Sequence, residues 1–175
     1  MATDEIRPDL KDWTWVLERP CPQCGYDASL VPGTQVAQTL LALVPRWRGA
    51  LARPHSRLRP RPAVWSTVEY AAHVRDLCQV FDERVRLMLT LDDPLFENWD
   101  QDATAITSGY ADQAPERVSA ELTAAATAFA MHLRSVGDDD WPRPGRRSNG
   151  STFTIDSLAR YFMHDVVHHL HDVGA

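Results

Sequence analysis

Four stretches of the chain place apolar residues at three- and four-residue steps, and none sustains the period-two alternation of a half-buried strand. That spacing confines the fold to the all-α class, because such a stripe is buried on one side only when the segment is helical. The first stretch runs from Gln35 to Leu51 behind Thr34 as N-cap, with Val36, Leu40, Leu43, Val44 and Trp47 on its stripe. Pro45 is expected to kink or split it. The second runs from Ser66 to Leu91, opened by the capping-box pattern Ser66-Thr67-Val68-Glu69 and striped by Tyr70, Val74, Leu77, Phe81, Val85 and Met88. The third, Pro115 to Val136, starts on a Pro-Glu pair, carries Val118, Leu122, Ala125, Phe129 and Leu133, and stops before Gly137. The fourth runs from Thr154 to Val173 with Leu158, Phe162, Val166 and Leu170 inward. Four helices of this length suffice for a bundle.

A chain of 175 residues suits one bundle domain, residues 34–175, preceded by an N-terminal extension, residues 1–33. The connection from Asp92 to Ala114 is long enough to be a crossover, and its Phe96-Glu-Asn-Trp-Asp-Gln-Asp102 run mixes aromatic rings with carboxylates that can cap the bundle or line a pocket mouth. Arg46 to Arg61 holds six arginines and His55, either an anion-binding strip or a solvated linker. Trp141 to Gly150 reads as a loop. The net charge of -6 argues against general nucleic-acid binding and leaves small molecules and proteins as partners. No apolar run approaches the roughly 18–20 residues that span a bilayer, and residues 1–12 are polar rather than a signal sequence, so a cytoplasmic location without membrane contact is expected.

Chemistry concentrates in the fourth helix, where four of the seven histidines fall within residues 164–171. His164 and His168 stand one turn apart and can place two nitrogens on one metal ion. A catalytic zinc takes three protein ligands and leaves one position open, so the third should come from another helix. His73, midway along the second helix and near its apolar stripe, is the natural candidate. His171 shares the face of the pair but lies near the chain end, whereas His169 is turned about 100° from His168 and is the weakest candidate of the four. Asp165 and Asp172 read either as partners that fix an imidazole tautomer or as solvated carboxylates. A fourth protein ligand, His171 or a cysteine, would close the site and favour structure over catalysis.

Cys21 and Cys24, in Cys21-Pro-Gln-Cys-Gly25, form a knuckle of the kind that supplies half of a tetrahedral zinc site. With only Cys78 besides, one chain cannot build a four-cysteine site. A mixed site with His55 or His132, a reversible dithiol, a ligand from another subunit, and a tight turn with two free thiols packed by Trp13 and Trp15 all stay open.

Trp65-Ser-Thr-Val-Glu-Tyr-Ala-Ala-His73, Asn98-Trp-Asp-Gln-Asp102 and His164-Asp-Val-Val-His-His-Leu170 together resemble the DinB-like (DinB/YfiT) superfamily, over roughly Val36 to Val173. That superfamily includes bacterial thiol S-transferases and the N-terminal domain of mycothiol-dependent maleylpyruvate isomerase. The resemblance implies an antiparallel four-helix bundle with a long crossover, a homodimer, and a divalent metal, zinc or nickel, on His73, His164 and His168. It further implies a small-molecule substrate and a low-molecular-weight thiol of the mycothiol type, whose thiolate the metal activates for S-transfer or isomerisation. A metal-dependent hydrolase, and a non-catalytic metal-binding scaffold or sensor, are the other readings. Asp100, Asp102 and Glu69 are equal candidates for moving a proton.

Overall fold

The computed structural model describes residue 6 and residues 12–175; most of the polar N-terminal stretch lies outside the described residues. Four long helices make the bundle: α1 (Gly33–Leu51), α2 (Thr67–Thr90), α4 (Pro115–Arg134) and α5 (Ile155–Asp172), with a short α3 (Gln101–Thr107) in the crossover. Local chemistry fixes where they start. The Ser66 N–H donates to Glu69 Oε2 at 2.8 Å while the Glu69 N–H donates to Ser66 Oγ at 3.3 Å, the reciprocal capping the sequence promised for α2. Thr154 and Ser157 do the same for α5, at 2.9 and 3.1 Å. At α1 the cap differs from expectation: Pro32 precedes Gly33, whose N–H donates to Asp156 Oδ1 at 2.7 Å. A Cβ at Gly33 would stand 2.8 Å from the Trp141 ring and 2.9 Å from the Asp156 backbone, so this entry needs glycine. Pro45 does not split α1, which runs through it; the ring sits on the exposed side, where water can take the hydrogen bond that proline lacks.

Contacts along the helices give their directions. His73 meets His169, and Phe81 meets Phe162, so α2 and α5 are antiparallel. Arg75 pairs with Glu121 and Asp82 with His132, so α2 and α4 run the same way. Gly33 bonds Asp156 while Arg53 bonds Val173, so α1 and α5 also run the same way. The bundle is thus a mixture of parallel and antiparallel neighbours rather than uniformly antiparallel. Because α2 and α4 are parallel, residues 91–114 must return along the whole bundle, which is the long crossover. They are more structured than expected: Asp100 caps α3 by accepting from Ala103 N–H at 2.9 Å, and a 3-10 turn follows at Tyr110–Asp112.

A small sheet departs from the all-helical pattern. β1 (Leu95–Phe96) pairs in parallel with β2 (Pro144–Arg147), which pairs antiparallel with β3 (Thr152–Thr154), across what reads in sequence as a loop. The strands are too short to show alternation, and they form because each finds a partner distant in sequence. Gly145 lets β2 close on the end of α2, since a Cβ there would lie 2.7 Å from Met88. The core runs between these ends through Trp47, Leu77, Phe129, Phe162 and Met163, all buried.

Three arginines of the Arg46–Arg61 strip, which begins within α1, are engaged by the protein itself. Arg53 donates to the carbonyls of Val173 and Gly174 at 2.8 and 2.9 Å, Arg46 donates to Ala175, and Arg59 clasps Glu69. Arg46 and Arg53 thereby pin the residues that follow α5, and Arg59 holds the start of α2. Among the described residues no helix is long and apolar enough to cross a membrane.

Candidate metal centre

Successive residues of α5 are turned by about 100°, so residues 164 and 168 share one stripe and residues 165 and 169 the next. The fold gives these stripes different neighbours. α2 brings His73 to the 165/169 stripe, and the N-terminal segment brings Cys21 and Cys24 to the 164/168 stripe. The three histidines expected on one ion are therefore divided: His73 lies with Asp165 and His169, while His164 and His168 lie with the two cysteines, the ligand atoms within each group being no more than 4.8 Å apart.

His73 is buried at 0% exposure. Its ring stacks on Trp99 at 5.1 Å and an interplanar angle of 2°, faces Trp65 at 5.6 Å, and meets His169 edge-on at 4.9 Å. Neither of its ring nitrogens has a hydrogen-bond partner. Nε2 stands 3.7 Å from Asp165 Oδ2, beyond a good hydrogen bond. Asp165 Oδ1 lies 3.1 Å from His169 Nε2, and His169 Nδ1 lies 2.9 Å from Asp172 Oδ2. Two ligands bound at about 2.0–2.1 Å with a tetrahedral angle are about 3.3 Å apart. The 3.7 and 3.1 Å spacings straddle that value, and an ion there would give one of the two unpartnered nitrogens of His73 its partner.

Charge follows the same geometry. Burial would drive His169 towards its neutral form, but Asp165 and Asp172 outweigh it and hold the imidazole up at about 9. Burial would raise the Asp165 carboxyl, yet His169 and His73 hold it well below the usual carboxylate range. In His73 burial prevails and lowers it. The proton on His169 stands where a cation would, between two carboxylates and beside a neutral buried imidazole, and would leave on metal binding, since a ligand imidazole is neutral.

A cavity of about 390 Å³ opens beside this cluster, lined among others by Arg53, His55, Arg59, Trp65 and Asp172. Trp65 and Asp172 also touch His73 and His169, so cavity and cluster share walls. The crossover carries Trp99 to the cluster, where it covers His73, and α3 follows at once. Of the proton-moving candidates, Glu69 is engaged by Arg59 and by the Ser66 backbone, and Asp100 is committed to capping α3. His171 is exposed, His132 pairs with Asp82 at 2.6 Å, and His55 lines the cavity. The Cys78 thiol is in the core, where burial raises its pKa. Asp165 and His169 form an i, i+4 pair as regular as His164 and His168. The signal was present in the sequence, but which pair faces α2 depends on the rotation of α5 about its axis.

A four-helix bundle that gathers two imidazoles and a carboxylate between two of its helices, beside a cavity, belongs to the class of helical bundles with a candidate divalent-metal centre. The chain is a member of the DinB superfamily, whose sequence profile matches residues 55–173. Comparison with curated proteins returns no match. Among solved structures the fold is similar to that of YfiT from Bacillus subtilis, at a TM-score of 0.69 and 16% identity over 97% of this chain and 92% of that one. YfiT is described as a probable metal-dependent hydrolase with an unusual four-helix bundle topology.

Proposed function

We propose that the protein is a divalent-metal-dependent enzyme acting on a small molecule, with His73, Asp165 and His169 as the metal ligands. The observation that carries this reading is the fully buried His73 ring, with two unpartnered nitrogens, set against Asp165 and His169 at the spacing of a coordination polyhedron. Two imidazoles and one carboxylate leave a position open, as catalytic zinc sites do. A divalent cation held there would acidify a bound water or deprotonate a bound thiol, giving a nucleophile near neutral pH. The water reading, a hydrolase, is favoured by the likeness to YfiT. The thiol reading, S-transfer or isomerisation with a mycothiol-type thiol, rests on the superfamily resemblance and uses the same open position.

The surrounding residues orient and shelter the site. Asp172 accepts the Nδ1–H of His169, which aims Nε2 at Asp165. Trp99 and Trp65 shield His73 from water, and the cavity that shares Trp65 and Asp172 with the cluster is where a substrate would approach. Because Asp172 sets the tautomer without being in the ligand set, Asp172→Ala is expected to lower metal affinity by roughly 10–100-fold while the fold is kept. Isothermal titration of the metal-free variant and its parent with zinc, both in a Cys24→Ser background so that one site responds, measures this.

The decisive experiment loads metal-free protein with zinc, nickel or manganese and assays a panel of activated esters and amides, then thiol-dependent consumption of electrophiles. Asp165→Asn is expected to cut the metal-dependent rate by more than the roughly 10–100-fold that an outer-shell loss costs, with an unchanged circular dichroism spectrum. Turnover that needs no metal, or an unimpaired Asp165→Asn enzyme, would overturn the assignment. Turnover only with a thiol present selects transfer over hydrolysis.

A further inference from the structure

The second cluster differs from the first in ligands and chemistry, and lies on the neighbouring stripe of α5, facing the N-terminal segment. We propose that Cys21, Cys24, His164 and His168 form a closed four-ligand site for a thiolate-preferring divalent cation, zinc above all, which fastens the N-terminal segment to α5. This goes beyond the function proposed above and shares no ligand with it. The superfamily match begins at residue 55, so the cysteine half of the site lies outside the matched region.

The geometry is that of a knuckle presented to a helix. Cys21 N–H donates to the Tyr26 carbonyl at 2.9 Å and Gly25 N–H to the Cys21 carbonyl at 2.8 Å, curling residues 21–26 so that both sulfurs face one way. Gly25 sits at φ +74°, a left-handed conformation that glycine adopts without strain. Opposite, His164 and His168 project from one stripe of α5 with ring centroids 5.2 Å apart. Cys21 Sγ lies 3.6 Å from His168 Nδ1. Bonds of about 2.3 Å to sulfur and about 2.0–2.1 Å to nitrogen at a tetrahedral angle give a sulfur–nitrogen edge of about 3.5–3.6 Å. The four ligand atoms all fall within 4.8 Å of one another.

A second observation points independently to a ligand. His164 is 4% exposed, and its Nε2 is buried with no hydrogen-bond partner. Trp13 covers the cluster, 5.3 Å from the His168 ring and 5.8 Å from that of His164. Cys21, His164 and His168 are buried and Cys24 is half-buried, so protein encloses most of the site. Its charge balances too: the cation enters, both thiols release their protons to solvent, and Zn²⁺ with two thiolates and two neutral imidazoles is uncharged, which suits burial. Tetrahedral sulfur–nitrogen ligation favours zinc over magnesium, calcium or manganese. On its far side His168 presents Nε2 to Asp172 Oδ1 at 3.9 Å, so one carboxylate backs both His168 and His169.

Zinc analysis and cobalt substitution of the full chain, reduced and metal-loaded, test this. Wild-type protein is expected to hold two metals per chain and, with cobalt, to show intense tetrahedral d–d absorption and a thiolate-to-cobalt charge-transfer band in the near ultraviolet. Cys24→Ser should hold one metal and lose that band. His73→Leu should also hold one metal but keep the band, so failure of this site and failure of the proposed catalytic site give different results. Chelation of the wild type should make residues 12–32 cleavable by chymotrypsin, at Trp13, Trp15 or Tyr26, at least tenfold faster than in the zinc form, while the bundle stays intact. Cobalt-loaded wild type without a thiolate band, a Cys24→Ser variant that keeps the band, or a metal-free Cys21–Cys24 disulfide in protein purified under reducing conditions would each overturn the proposal. Equal cleavage with and without zinc would overturn the fastening role.

Discussion

Replacing His73 with leucine is expected to stabilise the metal-free protein by about 1–3 kcal/mol and to abolish the stabilisation that metal gives at the His73, Asp165 and His169 site. Both ring nitrogens of His73 are buried without partners, and each unsatisfied polar group costs about 1–3 kcal/mol. Leucine fills much of the same space and removes that cost. It forfeits the stacking on Trp99, worth about 0.5–1.5 kcal/mol, which reduces the gain without reversing it. With metal present the order inverts, because a cation at a thousand times its dissociation constant stabilises the wild type by about 4.1 kcal/mol and has lost a ligand in the variant. Urea unfolding in chelator and in excess zinc, both in a Cys24→Ser background so that one site responds, measures the crossing. A metal-free His73→Leu variant less stable than its parent would mean that those nitrogens are satisfied in solution, and the ligand assignment would fall.

A larger loss is expected at Phe162→Ala. Phe162 is fully buried on α5, edge-to-face with Phe129 of α4 at 4.9 Å and tilted against Phe81 of α2 at 5.5 Å. It is where three of the four long helices meet. Truncation removes the ring's burial and leaves a cavity that close-packed neighbours fill only in part, costing about 3–5 kcal/mol. Against a total stability of about 5–15 kcal/mol this is a substantial share, and the urea midpoint should drop with little change in slope. A midpoint unmoved by this substitution would show that α5 is not seated between α2 and α4, and both candidate metal sites would lose their framework.

The two variants separate what the sequence discloses from what it withholds. Phe162 is legible in advance, because a helical stripe of Leu158, Phe162, Val166 and Leu170 needs only local periodicity, and the Ser66 to Glu69 cap likewise lies within four residues. The partner of His73 is not legible. His164 with His168 and Asp165 with His169 are equivalent pairs along the chain, and the choice is made by how α5 rolls in its groove. The knuckle illustrates the same limit: its form can be read from Cys21-Pro-Gln-Cys-Gly25, but its partner His168 lies 147 residues away. Strands of two to four residues such as β1 and β2 carry too little pattern to announce themselves, and exist because Gly145 admits a close approach to Met88.

The parallel course of α2 and α4 obliges one connection to travel the length of the molecule, and that connection lays Trp99 over His73 before α4 begins. Framework and cover are consequently written in separate stretches of sequence. The helices that would grip an ion are bound by core packing and can change little, whereas residues 97–108 are largely at the surface and can be shortened, lengthened or re-lettered with the bundle left standing. Chains built on this plan can therefore diverge in what they admit to the cluster while sharing what the cluster does.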